Sequence, residues 1–122
     1  MSEKHRLLVV DDEDAFRVGL SNTLLEQGYE VTTASDGEEA IALIKSKKID
    51  LVLLDINMPK MDGYEVLAFI KKNYPFVKVV MLTAFADLRH AMEAKRHQAD
   101  DFLSKPPDLL DLYTTIERLL EK

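Results

Sequence analysis

Leu7-Leu8-Val9-Val10 is a run of four apolar residues, and three acids, Asp11-Asp12-Glu13, follow it directly. Two more apolar runs of similar length occur at Leu51–Leu54 and Val79–Leu82. These runs are too short for helices, and they lack the alternation of half-exposed strands. Such runs are typical of a parallel sheet that is covered on both faces. The sequence therefore predicts a buried parallel β-sheet.

The segments between the apolar runs have helical periodicity. Ala15–Gln27 carries leucines at helical spacing and ends at Gly28, a favourable left-handed helix terminator. Asp36 and Asp62 each stand three residues before a glutamate and ahead of an apolar stripe, which predicts a capping box at each position. Asp108 is predicted to cap the last helix.

These elements form a series of five β/α units. Strands are predicted at Leu7–Val10, Glu30–Ala34, Asp50–Asp55, Val77–Leu82 and Asp101–Ser104. A fourth helix is predicted at about Leu88–His97, where a thin apolar stripe leaves little to pack. Right-handed crossovers place helices on both faces of the sheet, so we predict one α/β domain over residues 1–122.

The composition excludes several classes of function. A chain of 122 residues corresponds to one domain, and its 16 basic and 22 acidic side chains give a net charge of −6, which disfavours direct nucleic-acid binding. The absence of cysteine excludes disulfides, thiol catalysis and cysteine-bound metals. The apolar runs are far shorter than the roughly 20 residues of a membrane-spanning helix, and no signal-peptide pattern precedes them. We therefore expect a cytoplasmic protein without membrane contact.

Polar side chains follow the carboxyl ends of the predicted strands: Asp11 and Asp12, Asp55, Thr83 and Lys105. In open parallel sheets, ligands bind at this edge. Converging carboxylates repel one another, and Mg²⁺ with several retained waters would relieve that repulsion. The metal and Lys105 would neutralise a phosphoryl group, Thr83 would donate a hydrogen bond to it, and a carboxylate could act as nucleophile to form an aspartyl phosphate.

Four stretches around these strand ends form a specific combination, although each alone is weak. They are Val9-Val10-Asp11-Asp12-Glu13, Leu53-Leu54-Asp55-Ile56-Asn57-Met58-Pro59-Lys60-Met61-Asp62-Gly63, Leu82-Thr83-Ala84 and Ala99-Asp100-Asp101-Phe102-Leu103-Ser104-Lys105-Pro106. Over its whole length the chain resembles the receiver domain of two-component response regulators. The resemblance implies a flavodoxin-like fold with strand order 2-1-3-4-5.

The resemblance also implies a role for each acid. Asp55 is the phosphoacceptor. Asp12 and Asp55 bind Mg²⁺, or Mn²⁺ as a substitute, through their side chains. Asn57 binds the metal through its backbone carbonyl, and Asp11 binds it through a water.

The phosphoryl group has its own implied partners. Thr83 and Lys105 hold its oxygens, and Phe102 is the aromatic switch residue that swings inward as Thr83 moves towards the phosphate. By the same resemblance, the peptide bond between Lys105 and Pro106 is cis, which X–Pro bonds tolerate.

The chain departs from the family pattern at two positions. Gln98 stands where the family commonly has glycine, so we expect the turn into strand five to differ. Pro107 stands where a bulky apolar residue is usual, and it stiffens the approach to the last helix. The departure at Gln98 leaves the predicted phosphate site unchanged.

The lifetime of the phosphorylated form is predicted from Asn57 and Phe85. In receivers, side chains at these positions line the path of the attacking water. Asn57 can hydrogen-bond that water, whereas Phe85 is apolar and large enough to obstruct it. Ala84 is small and leaves the site open to a donor. We predict that the obstruction prevails and that the phosphate is lost slowly.

The implied phosphodonor is a histidine kinase or a phosphotransfer protein, and the implied target is a downstream protein or an output domain. No output domain is expected within the chain itself. Phosphorylation would change the surface formed by the fourth helix, strand five and the last helix. The same surface could form a phosphorylation-dependent homodimer.

Two other functions fit parts of the pattern. A small magnesium-dependent phosphohydrolase with an aspartate nucleophile would place a second acid two residues after the nucleophile, where this chain has Asn57. Such enzymes usually carry a cap domain as well, for which 122 residues leave no room. A phosphorylation-independent interaction module would lack part of the acid set, which is complete here. The sequence therefore favours a signalling switch that catalyses only its own phosphorylation and dephosphorylation.

Overall fold

A parallel five-stranded sheet forms the centre of the chain in a computed structural model, which describes residues 4–84, 92–93 and 95–121. The strands are β1 (Arg6–Val10), β2 (Glu30–Ala34), β3 (Leu51–Asp55), β4 (Lys78–Thr83) and β5 (Asp101–Ser104). They are hydrogen-bonded in the order β2-β1-β3-β4-β5. The predicted α/β class and strand order are confirmed.

Helices connect the strands and cover both faces of the sheet. They are α1 (Asp14–Glu26), α2 (Gly37–Ser46), α3 (Gly63–Asn73) and a C-terminal helix (Leu109–Leu120). Half of the helix predicted at Leu88–His97 lies outside the described residues, and within the other half residues 92–93 and 95–96 are helical. None of the helices in the described ranges has both the length and the apolarity needed to cross a membrane.

The sheet has an apolar core on each face. Leu8 and Val10 point towards α2 and α3, whereas Leu7 and Val9 point towards α1 and the C-terminal helix. All four side chains are 0% exposed, and burying each contributes about 1.5–3 kcal/mol. Burial on both faces explains why the strands are continuously apolar rather than alternating.

The register of the strands brings their carboxyl ends to one edge. Val10 lies beside Leu54, Asp55 beside Leu82, and Thr83 beside Ser104. Residues that follow β1, β3, β4 and β5 therefore leave the sheet close together.

The helix caps agree with the sequence at two of three positions. Asp62 forms the predicted capping box with Glu65, and Asp108 accepts a hydrogen bond from the backbone N–H of Asp111. Asp36 caps α2 by accepting from the N–H of Glu39, but the reciprocal half of its predicted box is wrong. The Glu39 carboxylate accepts instead from the N–H of Ser35, at 2.7 Å.

Two loop features also bear on the sequence predictions. The Lys105–Pro106 peptide bond is cis, as the resemblance implies. Gln98 has a φ of 70°, the left-handed conformation that glycine adopts most readily. Gln98 therefore enters the turn before β5 in a backbone conformation that is uncommon for residues other than glycine.

Candidate functional site

Three carboxylates converge where β1 and β3 end. One oxygen from each of Asp11, Asp12 and Asp55 lies within 4.8 Å of the others. Asp11 is 0% exposed and Asp55 is 4% exposed, whereas Asp12 faces solvent. The structure therefore brings together the three acids that the sequence assigned to one site.

An open cleft of about 250 Å³ gives access to this acid cluster. It is lined by Asp12, Glu13, Asp55, Asn57, Ala84 and Lys105. Size alone does not identify it, because a cleft of about 500 Å³ lies beside Arg6 and Lys48, at the opposite edge of the sheet. The converging acids and the facing ammonium group distinguish the smaller cleft chemically.

Tight backbone packing holds Asp55 at the base of the cleft. The N–H of Gly63, the first residue of α3, donates to the carbonyl of Ile56 at 2.9 Å. A Cβ atom added to Gly63 would lie 2.4 Å from the carbonyl oxygen of Asp55 and 2.8 Å from Cα of Ile56. Only glycine allows α3 to begin this close to the phosphoacceptor candidate.

Asp55 is difficult to ionise in the absence of a cation. Burial raises its pKa to about 7, and the negative charge of Asp11 acts in the same direction. The Lys105 ammonium and the N–H of Asn57, which donates to Asp55 Oδ1 at 3.3 Å, oppose the rise in pKa. The site therefore favours one more positive charge than the protein itself supplies.

Lys105 faces the acids from the end of β5. Its Nζ lies 2.5 Å from Glu13 Oε1, 2.9 Å from Asp11 Oδ2 and 3.8 Å from Asp55 Oδ2. It also lies 4.7 Å from the centre of the Phe16 ring. Burial opposes its positive charge, but the hydrogen bonds to Glu13 and Asp11 outweigh that effect and raise the pKa of Lys105 above its usual value.

Thr83 and Phe102 lie on neighbouring strands, Thr83 at the end of β4 and Phe102 near the start of β5. Thr83 is 0% exposed, and its carbonyl accepts the backbone N–H of Lys105 at 2.8 Å. Phe102 pairs with Met81 and is half-buried against the α2/α3 core. Phe85, which the sequence assigned to the lifetime of the phosphate, lies outside the described residues.

Two contributors were missed by the sequence reasoning. Glu13 and Phe16 contact Lys105. Both lie at the start of α1, far from Lys105 in sequence, so only the fold reveals the contact. The signal for Glu13 was present, since it extends the run of acids after β1. The sequence around Gly63 predicts only a capping box and carries no signal for the close approach of this residue to Asp55.

The donor set fits a hard divalent cation. Asp11, Asp12 and Asp55 offer carboxylate oxygens, and Asn57 follows Asp55, the last residue of β3, by two positions. Oxygen donors of this kind suit Mg²⁺. Burial is the main cause of the raised pKa of Asp55, the negative charge of Asp11 adds to it, and a bound cation would offset both effects.

Comparison with known proteins identifies the class. Residues 7–117 match the family described as the response regulator receiver domain. The chain belongs to this family, which operates in two-component signalling.

Two relatives illustrate the match in sequence. The probable transcriptional regulator ycf27 of Cyanidium caldarium is 39% identical over 119 residues, which are 98% of this chain and 47% of that protein. The regulatory protein AtoC of Escherichia coli (strain K12) is 38% identical over 121 residues, which are 99% of this chain and 26% of AtoC. The chain thus spans about half, or less, of the length of these curated relatives.

Solved structures agree in fold. Chemotaxis protein CheY4 of Vibrio cholerae superposes with a TM-score of 0.91 at 35% identity, covering 97% of this chain and 100% of CheY4. Response regulator protein TrrA of Thermotoga maritima, in complex with Mg²⁺-BeF, gives a TM-score of 0.86 at 39% identity and covers 95% of this chain and 99% of TrrA. The resemblance to CheY-like receivers and the flavodoxin-like fold are confirmed.

Proposed function

We propose that this chain is a signalling switch that accepts a phosphoryl group on Asp55 from a histidine kinase or phosphotransfer protein. The observation that carries the proposal is the position of the Asp55 carboxylate. It lies at the base of an open cleft, within 4.8 Å of two other acids and 3.8 Å from the Lys105 ammonium. A nucleophile, a cation and an acid set that suits Mg²⁺ therefore meet at one point.

In the proposed reaction, an oxygen of Asp55 attacks the phosphorus of the donor. A phosphorus–oxygen bond forms, and the bond from phosphorus to the donor group breaks, with the electron pair leaving on the donor. The Lys105 ammonium neutralises the charge of the phosphoryl oxygens, and the Thr83 hydroxyl donates a hydrogen bond to one of them. Bound Mg²⁺, held by Asp11, Asp12, Asp55 and the Asn57 carbonyl, would supply the remaining charge neutralisation.

The switch would act through β5. The backbone N–H of Lys105 donates to the carbonyl of Thr83, and Phe102 lies three residues earlier on β5. A shift of Thr83 towards the phosphate would therefore displace the backbone of β5 through this hydrogen bond. The side chain of Phe102 is half-buried, which leaves it room for more than one position.

The signal would pass to a downstream protein or an output domain through the surface around β5 and the C-terminal helix. Two relatives are named as regulators and extend well beyond the length of this chain, which supports a coupled output. A phosphorylation-dependent homodimer through the same surface is a second form of output. We place the switch in the cytoplasm and expect the chain to catalyse only its own phosphorylation and dephosphorylation.

The proposal can be tested with beryllofluoride, a phosphoryl analogue. With Mg²⁺ present, the analogue should shift the backbone amide signals of Thr83, Phe102 and Lys105 in the wild-type chain. In Lys105→Ala, Mg²⁺ binding should be retained, because the ammonium contacts the phosphoryl group and not the metal, while the shifts at β5 should shrink. Equal shifts in both chains would show that Lys105 is misassigned. No shifts in wild type would refute the proposed function.

A further inference from the structure

Glu13 occupies the N-cap position of α1, but its side chain has another use. Within the described residues, its carboxylate accepts no capping hydrogen bond. Good N-caps are short side chains such as Ser, Asp and Asn, so glutamate contributes little to this helix end. Its Oε1 instead lies 2.5 Å from Lys105 Nζ.

The lysine is held on the side of the cleft formed by residues 11–16. Glu13, Asp11 and the Phe16 ring all contact its ammonium, at 2.5, 2.9 and 4.7 Å respectively. Asp55 Oδ2 is more distant, at 3.8 Å. The cation is thus closer to the acids after β1 than to the carboxylate where a phosphoryl group would form.

Backbone contacts fix both partners of this ion pair. The N–H of Glu13 donates to Asp11 Oδ1 at 2.8 Å, while Asp11 Oδ2 contacts Lys105. The N–H of Lys105 donates to the Thr83 carbonyl at 2.8 Å. The two backbones are therefore anchored, and only the long side chains are free to rearrange.

We propose that Glu13 is a positioning residue for the phosphorylation of Asp55, and that it holds the Lys105 ammonium at the rim of the cleft until a phosphoryl group competes for it. This inference rests on the proposed function and adds a residue that sets the strength of anion binding. Two effects of Glu13 act in the same direction. Its carboxylate competes with the phosphoryl oxygens for Lys105, and its charge repels the incoming anionic donor.

The size of the effect follows from exposure. The Glu13 side chain is 64% exposed, whereas that of Lys105 is 11% exposed, so water competes for the carboxylate end of the pair. Exposed ion pairs contribute little, and we therefore expect a change of about two- to fivefold in the affinity for a phosphoryl analogue. An effect of this size would modulate the response without abolishing it.

Glu13→Gln tests the proposal, with Asp14→Asn as the matched control. Both substitutions remove one negative charge from the start of α1. Asp14 pairs with Arg17 at 2.7 Å, its side chain is 85% exposed, and an amide there can still accept the hydrogen bond. Only Glu13→Gln removes a negative charge that lies in contact with Lys105.

Two readouts are needed. The first is the affinity for beryllofluoride at saturating Mg²⁺, which should rise about two- to fivefold in Glu13→Gln and stay near wild type in Asp14→Asn. The second is the nitrogen and proton chemical shift of the Lys105 ammonium without metal or analogue, which should move in Glu13→Gln alone. This second readout reports the contact directly and does not require phosphorylation.

Three results would overturn the inference. An equal gain in affinity in both variants would show that only long-range charge matters. An unchanged Lys105 ammonium signal in Glu13→Gln would show that the contact is not formed. A loss of Mg²⁺ affinity of about tenfold in Glu13→Gln would make Glu13 a metal ligand. Failure of the wild-type chain to bind the analogue would instead refute the proposed function, and the inference with it, while the ammonium signal would still report the contact.

Discussion

The carboxylate of Asp55 and the ammonium of Lys105 lie 3.8 Å apart across a cleft, although they belong to different strand ends. The fold creates this pair through strand register. Asp55 ends β3 beside Leu82 of β4, and Thr83 at the end of β4 lies beside Ser104 of β5. Lys105 is the next residue. The order and register of the strands therefore place its ammonium beside Asp55, although the two residues are far apart in sequence.

Burial of Asp55 predicts a pH-dependent cost to stability in the metal-free chain. Its pKa is raised from 3.8 to about 7, so its contribution to stability is fully present below about pH 4 and is lost as the pH rises through about 7. Asp55→Asn should therefore be more stable than wild type by about 1–3 kcal/mol at pH 8 without metal. Urea unfolding at pH 8 and pH 5 measures the difference, which should narrow at pH 5.

Magnesium provides the control for this prediction. Added Mg²⁺ should raise the stability of wild type at pH 8, because the metal binds only the folded site, and should do much less for Asp55→Asn. A stability difference that is the same at both pH values, or a metal effect that is equal in the two chains, would show that the buried Asp55 carboxylate is not the source of the pH-dependent cost.

The close approach of α3 to the phosphoacceptor predicts that Gly63→Ala is destabilising. The added Cβ meets the Asp55 carbonyl oxygen at 2.4 Å, and backbone cannot move aside cheaply. We expect a loss of about 1–3 kcal/mol in the free energy of unfolding, together with weaker Mg²⁺ binding as Asp55 is displaced.

Gly19→Ala is the matched control, because a Cβ there meets nothing within 4 Å and the residue lies inside α1. This substitution should stabilise the chain by about 0.5–1 kcal/mol through higher helix propensity. Urea unfolding compares the two variants. If Gly63→Ala proved as harmless as Gly19→Ala, the packing of α3 on Asp55 would be looser than described.

Much of this arrangement could be predicted from sequence, because burial on both faces leaves a direct signature in the apolar strands. The convergence of Asp11, Asp12 and Asp55 followed from the rule that ligands bind at the carboxyl ends of parallel strands. The ion pair between Glu13 and Lys105 could not be predicted, because it depends on side-chain reach across the cleft. The hydrogen bond that the N–H of Ser35 donates to Glu39 could not be predicted for a related reason. The N–H groups of Ser35 and Asp36 are neighbours, and the sequence does not indicate which of them the carboxylate accepts from.

Phe85 predicts a slow loss of phosphate, with its obstruction outweighing the help that Asn57 would give to the attacking water. We expect the apolar ring two residues after Thr83 to give the attacking water no polar partner and to obstruct its path. Phe85→Glu should therefore release phosphate faster, by about tenfold, because a carboxylate can orient that water. The rate of inorganic phosphate release from the phosphorylated chain is the measurement. A rate no faster than that of wild type would show that Phe85 does not slow the hydrolysis of the aspartyl phosphate.

The most direct test of phosphorylation on Asp55 is intact-mass spectrometry after incubation with acetyl phosphate and Mg²⁺. The wild-type chain should gain the mass of one phosphoryl group, the gain should vanish when the metal is chelated, and Asp55→Asn should gain none. An adduct of the same size that persists in Asp55→Asn would contradict the assignment of the phosphoacceptor.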